Sequence, residues 1–189
     1  MTSHRFWLQN PPIALVSQRP GPRPNTTDTN PHTQLTQQAP VTLQDALHER
    51  VTELQGVVAG RSNISLTGTR GYHLPPSKEP AGETGPGHIP LDGFMIDREF
   101  GHLHPRGDGS AHIVLPPWTV GQVTKNGWAE LHPVAALYGM PLNVVMVYGP
   151  RDSDELEAIV ELVSLSRDYA AGLVILPPSA WVVDSAYIA

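Results

Sequence analysis

The chain contains no cysteine, and this absence removes several kinds of chemistry at once. Disulfide bonds, thiolate nucleophiles and cysteine-ligated zinc or iron–sulfur sites are all excluded. Basic residues are also scarce, because 12 Lys and Arg stand against 18 Asp and Glu, which gives a net charge of −6. This balance argues against a nucleic-acid-binding surface or a polybasic membrane patch. We therefore expect a function that uses neither thiol chemistry nor nucleic acid.

Long apolar runs are missing as well. The apolar residues at positions 6–8 are followed by Asn10 and two prolines, and the run Ile13–Val16 is far shorter than the ~20 residues of a membrane helix. The N-terminus does not resemble a signal peptide. The chain also lacks a glycine-rich phosphate loop and a Gly-x-Ser-x-Gly motif. These absences predict a cytoplasmic protein with no membrane span and no organic cofactor.

Proline and glycine are abundant, with 20 and 17 residues, and they cluster. Residues 1–40 are rich in Pro, Thr, Asn and Gln, a composition that buries too little apolar surface to offset the entropy lost on ordering. We therefore predict a flexible arm over residues 1–40, one folded domain over residues 41–172 and a C-terminal tail over residues 173–189. A second Pro- and Gly-rich segment, residues 75–93, predicts a long loop inside the domain.

Two amphipathic patterns predict helices. The first is expected at residues 43–55, with Thr42 as its N-cap. The second follows Asp152, which forms a capping-box pattern with Glu155, and is expected at residues 153–171. Each pattern gives its helix one apolar side, which has to be buried against another element. We therefore expect both helices to cover the same face of a sheet.

The strand signals centre on a β-hairpin. Phe94–His104 is expected to enter it, Arg106–Gly109 contains the Asp-Gly pair typical of a tight turn, and Ser110–Leu115 is expected to return. The apolar, β-branched run Leu142–Tyr148 predicts a central strand. Val57–Leu74 contains further strand-like pieces, the best of them around Asn63–Leu66. The predicted fold class is α+β, with a mostly antiparallel sheet around the central hairpin and helices mainly on one face.

Four of the nine histidines fall within residues 98–133. Because side chains alternate along a strand, His102 and His104 share one face. If the hairpin connection has five residues, His112 pairs opposite His102 and joins that face, whereas a connection of four residues turns His112 away. With His132 at the edge, such a cluster predicts a catalytic or metal-binding cleft. The alternative is a set of core histidines that bond to the backbone or to one another.

The residue types near the hairpin suit acid–base chemistry and anion binding. Histidine, with an ordinary pKa of about 6.5, is a natural general base, and we assign that role to His102 or His104. Arg98 and Arg151 are candidates for holding an enolate or a carboxylate of the substrate, and a salt bridge is the competing interpretation. Glu99 faces away from His102 in a regular strand, so it is as readily a structural partner of Arg151 as a catalytic acid.

The spacing of these residues resembles the luciferase-domain family, which includes the fungal luciferases. The resemblance rests on Arg98-Glu99, His102 with His104, Asp108 with His112, Gly127-Trp128 with His132-Pro133, and Tyr148 with Pro150-Arg151. It implies an oxygenase that adds O2 to a 3-hydroxy-α-pyrone, with bioluminescence in the light-emitting members. The small aromatic or pyrone substrate is then the expected partner, and the expected site holds no metal.

Two other functions stay open. A metal-dependent oxygenase would hold a divalent ion on His102, His104 and His112 and leave an open coordination position. A non-catalytic module would bind a small aromatic ligand in the same cleft. In any of these functions Trp128 and Tyr148 are candidates for stacking on the ligand, although core packing is the commoner role of such residues.

Overall fold

The structure is a computed structural model and describes residue 7 and residues 10–76 and 89–174. Within these residues it contains helices α1 (Ile13–Val16), α2 (Val41–Thr52), α3 (Pro117–Lys125) and α4 (Ser153–Ala170). The strands are β1 (Val58–Arg61), β2 (Arg70–His73), β3 (Glu99–Leu103), β4 (Ala111–Val114), β5 (Ala129–Leu131) and β6 (Val144–Val147). A 3₁₀-helix, Ala135–Tyr138, lies between β5 and β6.

The six strands form one antiparallel sheet in the order β1-β2-β3-β4-β6-β5. The hairpin of β3 and β4 lies at its centre, and His102 stands directly opposite His112. This pairing corresponds to the five-residue connection between the two strands. The predicted α+β class, with an antiparallel sheet around the hairpin, is confirmed.

The helices pack on one face of the sheet, as the two amphipathic patterns predict. α2 packs against α4, and α4 contacts β3 and β4. The main core between helices and sheet includes Leu47, Leu103, Ile113, Val145 and Ile159, all of which are almost fully buried. Burying a side chain of this size contributes about 1.5–3 kcal/mol.

The start of α4 follows its capping pattern in part. The Asp152 side chain accepts a hydrogen bond from the backbone N–H of Glu155 at 2.9 Å. The Glu155 carboxylate does not complete a capping box, because it pairs with two arginines, Arg19 at 2.9 Å and Arg151. A buried ion pair therefore replaces the second half of the motif.

The structure differs from the prediction at the start of α2 and in one predicted strand. α2 begins at Val41 and has Pro40 rather than Thr42 at its N-cap, since the extended backbone of Pro40 (ψ 141°) leads directly into the first turn and proline has no N–H to satisfy. The predicted strand Asn63–Leu66 is instead part of the connection between β1 and β2. That connection is shaped by a buried carboxylate, Glu99, which accepts a hydrogen bond from the backbone N–H of Asn63.

Residues 10–40 lie packed against the domain, although their composition predicts a flexible arm. His32 and Gln34 are each 2% exposed, and the carbonyl of Ser17 accepts a hydrogen bond from the indole of Trp128 at 2.7 Å. Mobility of this segment stays a prediction. Most of the predicted loop, residues 75–93, and of the predicted tail, residues 173–189, lies outside the described residues.

None of the helices in the described part of the chain combines the length and the apolar character that crossing a bilayer requires.

Candidate histidine-cluster site

The face of the sheet that points away from the main core carries a row of aligned residues. The strand pairings place five residues side by side on neighbouring strands: Gly71, His102, His112, Met146 and Glu130. Paired residues of an antiparallel sheet project to the same side, so the row occupies one face. The next residues along β3 and β4, Leu103 and Ile113, belong to the core on the other face.

Five histidines gather on the face that carries this row. They are His32, His102, His104, His112 and His132, and none is more than 9% exposed. Four of them are the histidines that the sequence predicted to share a cleft. The fifth, His32, comes from the segment that was expected to be a flexible arm.

His112 lies at the centre of the cluster and faces other histidines with both ring nitrogens. Its Nδ1 is 3.2 Å from His102 Nε2 and 3.0 Å from His104 Nε2. Its Nε2 is 3.0 Å from His32 Nδ1. The ring of His132 lies on the same side as His32, with its centroid 4.8 Å from that of His112 and 5.2 Å from that of His32.

Three of these histidines contact a carboxylate through the ring nitrogen that faces away from His112. The pairs, each at 2.7 Å, are Glu99 with His102 Nδ1, Asp108 with His104 Nδ1, and Glu130 with His32 Nε2. An ionised carboxylate at this distance accepts a hydrogen bond, so the nitrogen that faces it carries a proton. In a neutral ring the other nitrogen is then a bare lone pair, and all three bare nitrogens point at His112.

A neutral His112 ring does not satisfy all three of these nitrogens, because it carries a single N–H. With the proton on Nδ1, its bare Nε2 meets the bare Nδ1 of His32. With the proton on Nε2, its bare Nδ1 meets the bare Nε2 atoms of His102 and His104. Either tautomer leaves lone pairs facing each other at 3.0–3.2 Å. The arrangement therefore favours an additional positive charge next to these nitrogens.

Glu99 reaches this face because β3 is irregular. Consecutive residues of β2, Tyr72 and His73, pair with Gly101 and Glu99, so Phe100 is an extra residue in β3. One inserted residue reverses the alternation of side chains. The expectation from a regular strand, that Glu99 faces away from His102, is therefore wrong.

The carboxylates of the cluster are ionised despite their burial. Burial alone would raise the pKa of Glu99, but hydrogen bonds from His102, from the backbone N–H of Asn63 and from the Ser62 hydroxyl hold that pKa below its usual value. Likewise, burial opposes ionisation of Asp108, and the hydrogen bond from His104 contributes most to lowering its pKa. The site therefore contains buried negative charge.

Burial also lowers the pKa of three cluster histidines. Desolvation is the largest cause for His102, His112 and His132. For His102 the hydrogen bond to Glu99 acts in the opposite direction without reversing the shift. The pKa of His132 falls to about 4, and the pKa of His112 falls well below its usual value. At neutral pH these rings are uncharged, which is the form that accepts a proton or binds a metal ion.

The five histidines line a cavity of about 280 Å³. The rest of its lining includes apolar side chains of Ile64, Leu66, Tyr138 and Met140. A cavity near the lower end of the usual ligand-pocket range, part apolar and part polar, suits a small flat molecule with a few polar groups.

The two arginines predicted to bind substrate lie elsewhere. The guanidinium of Arg98 sits over the ring of Phe94, 4.4 Å from its centroid. Arg151 pairs with Glu155 at the start of α4. Among the described residues that line the cavity neither arginine is present. The suggested pair of Glu99 with Arg151 is wrong, since each has a different partner.

Trp128 and Tyr148 are buried in the body of the protein. Trp128 belongs to the main core, and Tyr148 is 1% exposed. The Tyr148 hydroxyl donates a hydrogen bond to Glu130 at 2.8 Å, so it supports the carboxylate behind His32. Neither ring is among the described residues that line the cavity, and stacking on a ligand stays a prediction.

Sequence reasoning missed some members of the site. His32 gave no local signal, because it lies in a proline-rich segment without apolar periodicity. Glu130 had a usable signal, since it stands two residues before His132 in an extended segment and such residues share a face. Asp108 was interpreted as a turn residue, and it both lies in the hairpin turn and bonds to His104.

Fold and site together define a small α+β protein with a buried, carboxylate-supported histidine cluster. Residues 97–166, which include the whole hairpin, match the family model described as "Luciferase domain". The predicted resemblance to the luciferase-domain family is confirmed for this region.

Two curated relatives show the extent of the similarity. The luciferase of Armillaria gallica is 31% identical over 84 residues, which cover 41% of this chain and 32% of that protein. The luciferase of Neonothopanus nambi is 29% identical over 91 residues, which cover 47% of this chain and 33% of that protein. The similarity thus spans about a third of the length of these relatives. No solved structure matches this chain.

Proposed function

We propose that this protein is a luciferase-like oxygenase that adds O2 to an enolisable small aromatic compound, such as a 3-hydroxy-α-pyrone. The observation that supports the proposal is the histidine cluster at a cavity, built largely from the segment that is similar to the Luciferase domain. An electron-rich enolate reacts with O2 without an organic cofactor. The protein then has to remove the hydroxyl proton and stabilise the anion that forms.

His102 and His104 are the proton acceptors that we propose for a metal-free reaction. The carboxylate behind each ring fixes the proton on Nδ1 and leaves Nε2 as the base. The same carboxylate stabilises the imidazolium that forms when Nε2 takes the substrate proton, as in Asp–His pairs of hydrolases. Desolvation lowers the pKa of His132 to about 4, which makes this ring a poor general base near neutral pH.

A second candidate, a metal-dependent oxygenase, is favoured by the bare nitrogens around His112. Two nitrogens bound to one tetrahedral zinc-type ion at 2.0–2.1 Å lie about 3.4 Å apart. The separations from His112 Nδ1 to His102 and His104, 3.2 and 3.0 Å, are within a few tenths of that value. Carboxylates that hold ligand histidines from behind are also typical of metal sites. An ion held there would polarise the enolate oxygen.

Oxygen uptake by the purified protein with a 3-hydroxy-α-pyrone tests the proposal. We expect uptake that falls by on the order of 10²–10⁴ when His102→Gln removes the proton acceptor. His48→Gln is the matched control, because His48 bonds to Tyr72, a residue of the main core, away from the cluster. Pyrone binding without oxygen uptake would refute the oxygenase and indicate a ligand-binding module.

Chelation separates the two mechanisms. If dialysis against a strong chelator leaves the rate unchanged, His102 and His104 act as bases without metal. If chelation abolishes uptake and an added metal ion restores it, the metal-dependent mechanism replaces the metal-free one.

A further inference from the structure

We infer that the cluster binds two metal ions, one on each side of His112, and that the His112 ring bridges them. The first position is formed by His102, His104 and His112, and the second by His32, His112 and His132. Within each set the candidate ligand atoms lie within 4.8 Å of one another. The inference concerns the same cluster as the proposed oxygenase but depends on metal binding and not on turnover.

The orientation of His112 is the first argument. A neutral histidine in a core is satisfied by an acceptor at its N–H and a donor at its bare nitrogen, whereas His112 faces imidazole nitrogens that offer lone pairs at both ring edges. Nδ1 approaches two of them at 3.0 and 3.2 Å, and Nε2 approaches a third at 3.0 Å. One ring thus presents a ligand atom to each of two positions. With a single ion at the first position, His112 Nε2 would keep its proton and donate a hydrogen bond to His32 Nδ1, whereas a second ion replaces that proton and gains His132 as a further ligand.

The second position has the same kind of support as the first. Glu130 holds His32 from behind at 2.7 Å, and the Tyr148 hydroxyl donates to the other oxygen of that carboxylate. This fixes the proton of His32 on Nε2 and directs its bare Nδ1 at His112. His32 is 2% exposed, so a bare nitrogen here has little access to water. His132 supplies the third ligand of this position.

The placement of the carboxylates is the second argument. Glu99, Asp108 and Glu130 each contact a candidate ligand histidine at 2.7 Å, and within the described residues their ion-pair partners are histidines, with no Lys or Arg among them. Both positions are therefore backed by carboxylates that no basic side chain pairs with, and carboxylates behind ligand histidines are typical of metal sites.

Bridging changes the protonation of His112. Coordination through both nitrogens forms two metal–nitrogen bonds and breaks the remaining N–H bond, and the proton passes to the buffer. No electron is transferred. Each ion then has three nitrogen ligands and an open position, and the all-imidazole donor set suits copper or zinc.

Metal loading of the purified protein tests the inference. Apoprotein titrated with Cu²⁺ or Zn²⁺ should bind two ions per chain, counted by elemental analysis. In the Cu²⁺ form a shared imidazolate couples the two spins, so the integrated paramagnetic resonance signal at low temperature should fall below that of two isolated ions. Replacing one bound Cu²⁺ by Zn²⁺ should restore the signal of a single ion.

Variants on the two sides of the bridge should separate the positions. His32→Gln and His104→Gln should each reduce the count to one ion and abolish the coupling. His112→Gln removes the bridge and should weaken both positions. His48→Gln, outside the cluster, should retain two coupled ions. Circular dichroism checks folding, and His132→Gln replaces His32→Gln if the latter does not fold.

Several results would overturn the inference. One bound ion per chain in the unmodified protein would mean that only the first metal position exists. No bound ion would mean that neither position exists. Two ions without coupling would show separate sites without a bridge. Failure of oxygen uptake would count against the proposed oxygenase alone, because the ion count does not depend on it.

Discussion

The two faces of the central hairpin differ in how their residues are stabilised. On the face toward the helices, Leu103 and Ile113 lie in a continuous apolar core. On the opposite face, His102 and His112 stand directly across from each other, 3.2 Å apart at the ring nitrogens. Adjacent residues of the same strands therefore belong to two environments. On one face the residues are held by apolar packing, which has no preferred direction, and on the other by specific hydrogen bonds.

This difference shows how a small domain separates stability from chemistry. Apolar packing tolerates changes of shape at a moderate cost, whereas the chemistry of a buried polar network depends on every partner being present. The cluster face holds buried carboxylates and bare nitrogens, and the helix face supplies the burial that stabilises the fold. Substitutions at neighbouring positions of β3 should therefore affect different properties. A change on the cluster face should lower turnover, and a change on the helix face should lower stability.

The largest expected effect is the loss of turnover on the cluster face. His102→Gln keeps polarity and approximate size but removes the imidazole that accepts the proton or binds the ion. We expect oxygen uptake to fall by on the order of 10²–10⁴, with a nearly unchanged melting temperature of the metal-free protein. A lowered melting temperature with a rate lost only in proportion to unfolded protein would mean that His102 is structural.

Its neighbour on the helix face should show the reverse behaviour. Leu103 is 1% exposed, and Leu103→Ala leaves a cavity in the core. We expect the free energy of unfolding to fall by about 2–5 kcal/mol, measured by denaturant titration. Oxygen uptake per folded molecule should stay close to that of the unmodified protein. A specific loss of turnover here would mean that the two faces are coupled.

The carboxylate behind His102 should give an intermediate effect. Glu99→Gln keeps the shape of the side chain but removes the charge that orients His102. We expect a loss of about 10–100-fold in activity or in metal affinity, the usual effect of removing a group that orients a ligand histidine. Metal titration and oxygen uptake, measured on the same preparation, will check it. Unchanged oxygen uptake and metal affinity would show that the 2.7 Å contact between Glu99 and His102 has no influence on His102.

The smallest expected effect concerns an ion pair at the surface. The hydrogen bond from Arg70 lowers the pKa of Asp45, and the charge of Arg106 acts in the same direction. Because the folded-state pKa is below that of the unfolded chain, this stabilisation is present above the ordinary Asp pKa of about 3.9 and is lost as pH falls through the folded value. Asp45→Asn should slightly flatten the acid limb of the stability curve. An unaltered limb would show that the pair contributes nothing measurable.

The hairpin and the face that its histidines share were predictable from local rules. Alternation places His102 and His104 together, and the length of the connection offers only two registers for His112. The bulge at Phe100 was not predictable, because an inserted residue is recognised only when both strands of a pair are known. That single residue places Glu99 behind His102.

The sequence by itself determined the elements whose signals are local: the antiparallel hairpin, the two amphipathic helices on one face, and the resemblance carried by residues 98–151. Only the tertiary structure decided which distant side chains complete the site. His32 and Glu130 are far apart in the chain, yet they bond at 2.7 Å and complete the second half of the cluster. Such a contact depends on how a segment without periodicity packs across the sheet, and no short-range pattern encodes that path.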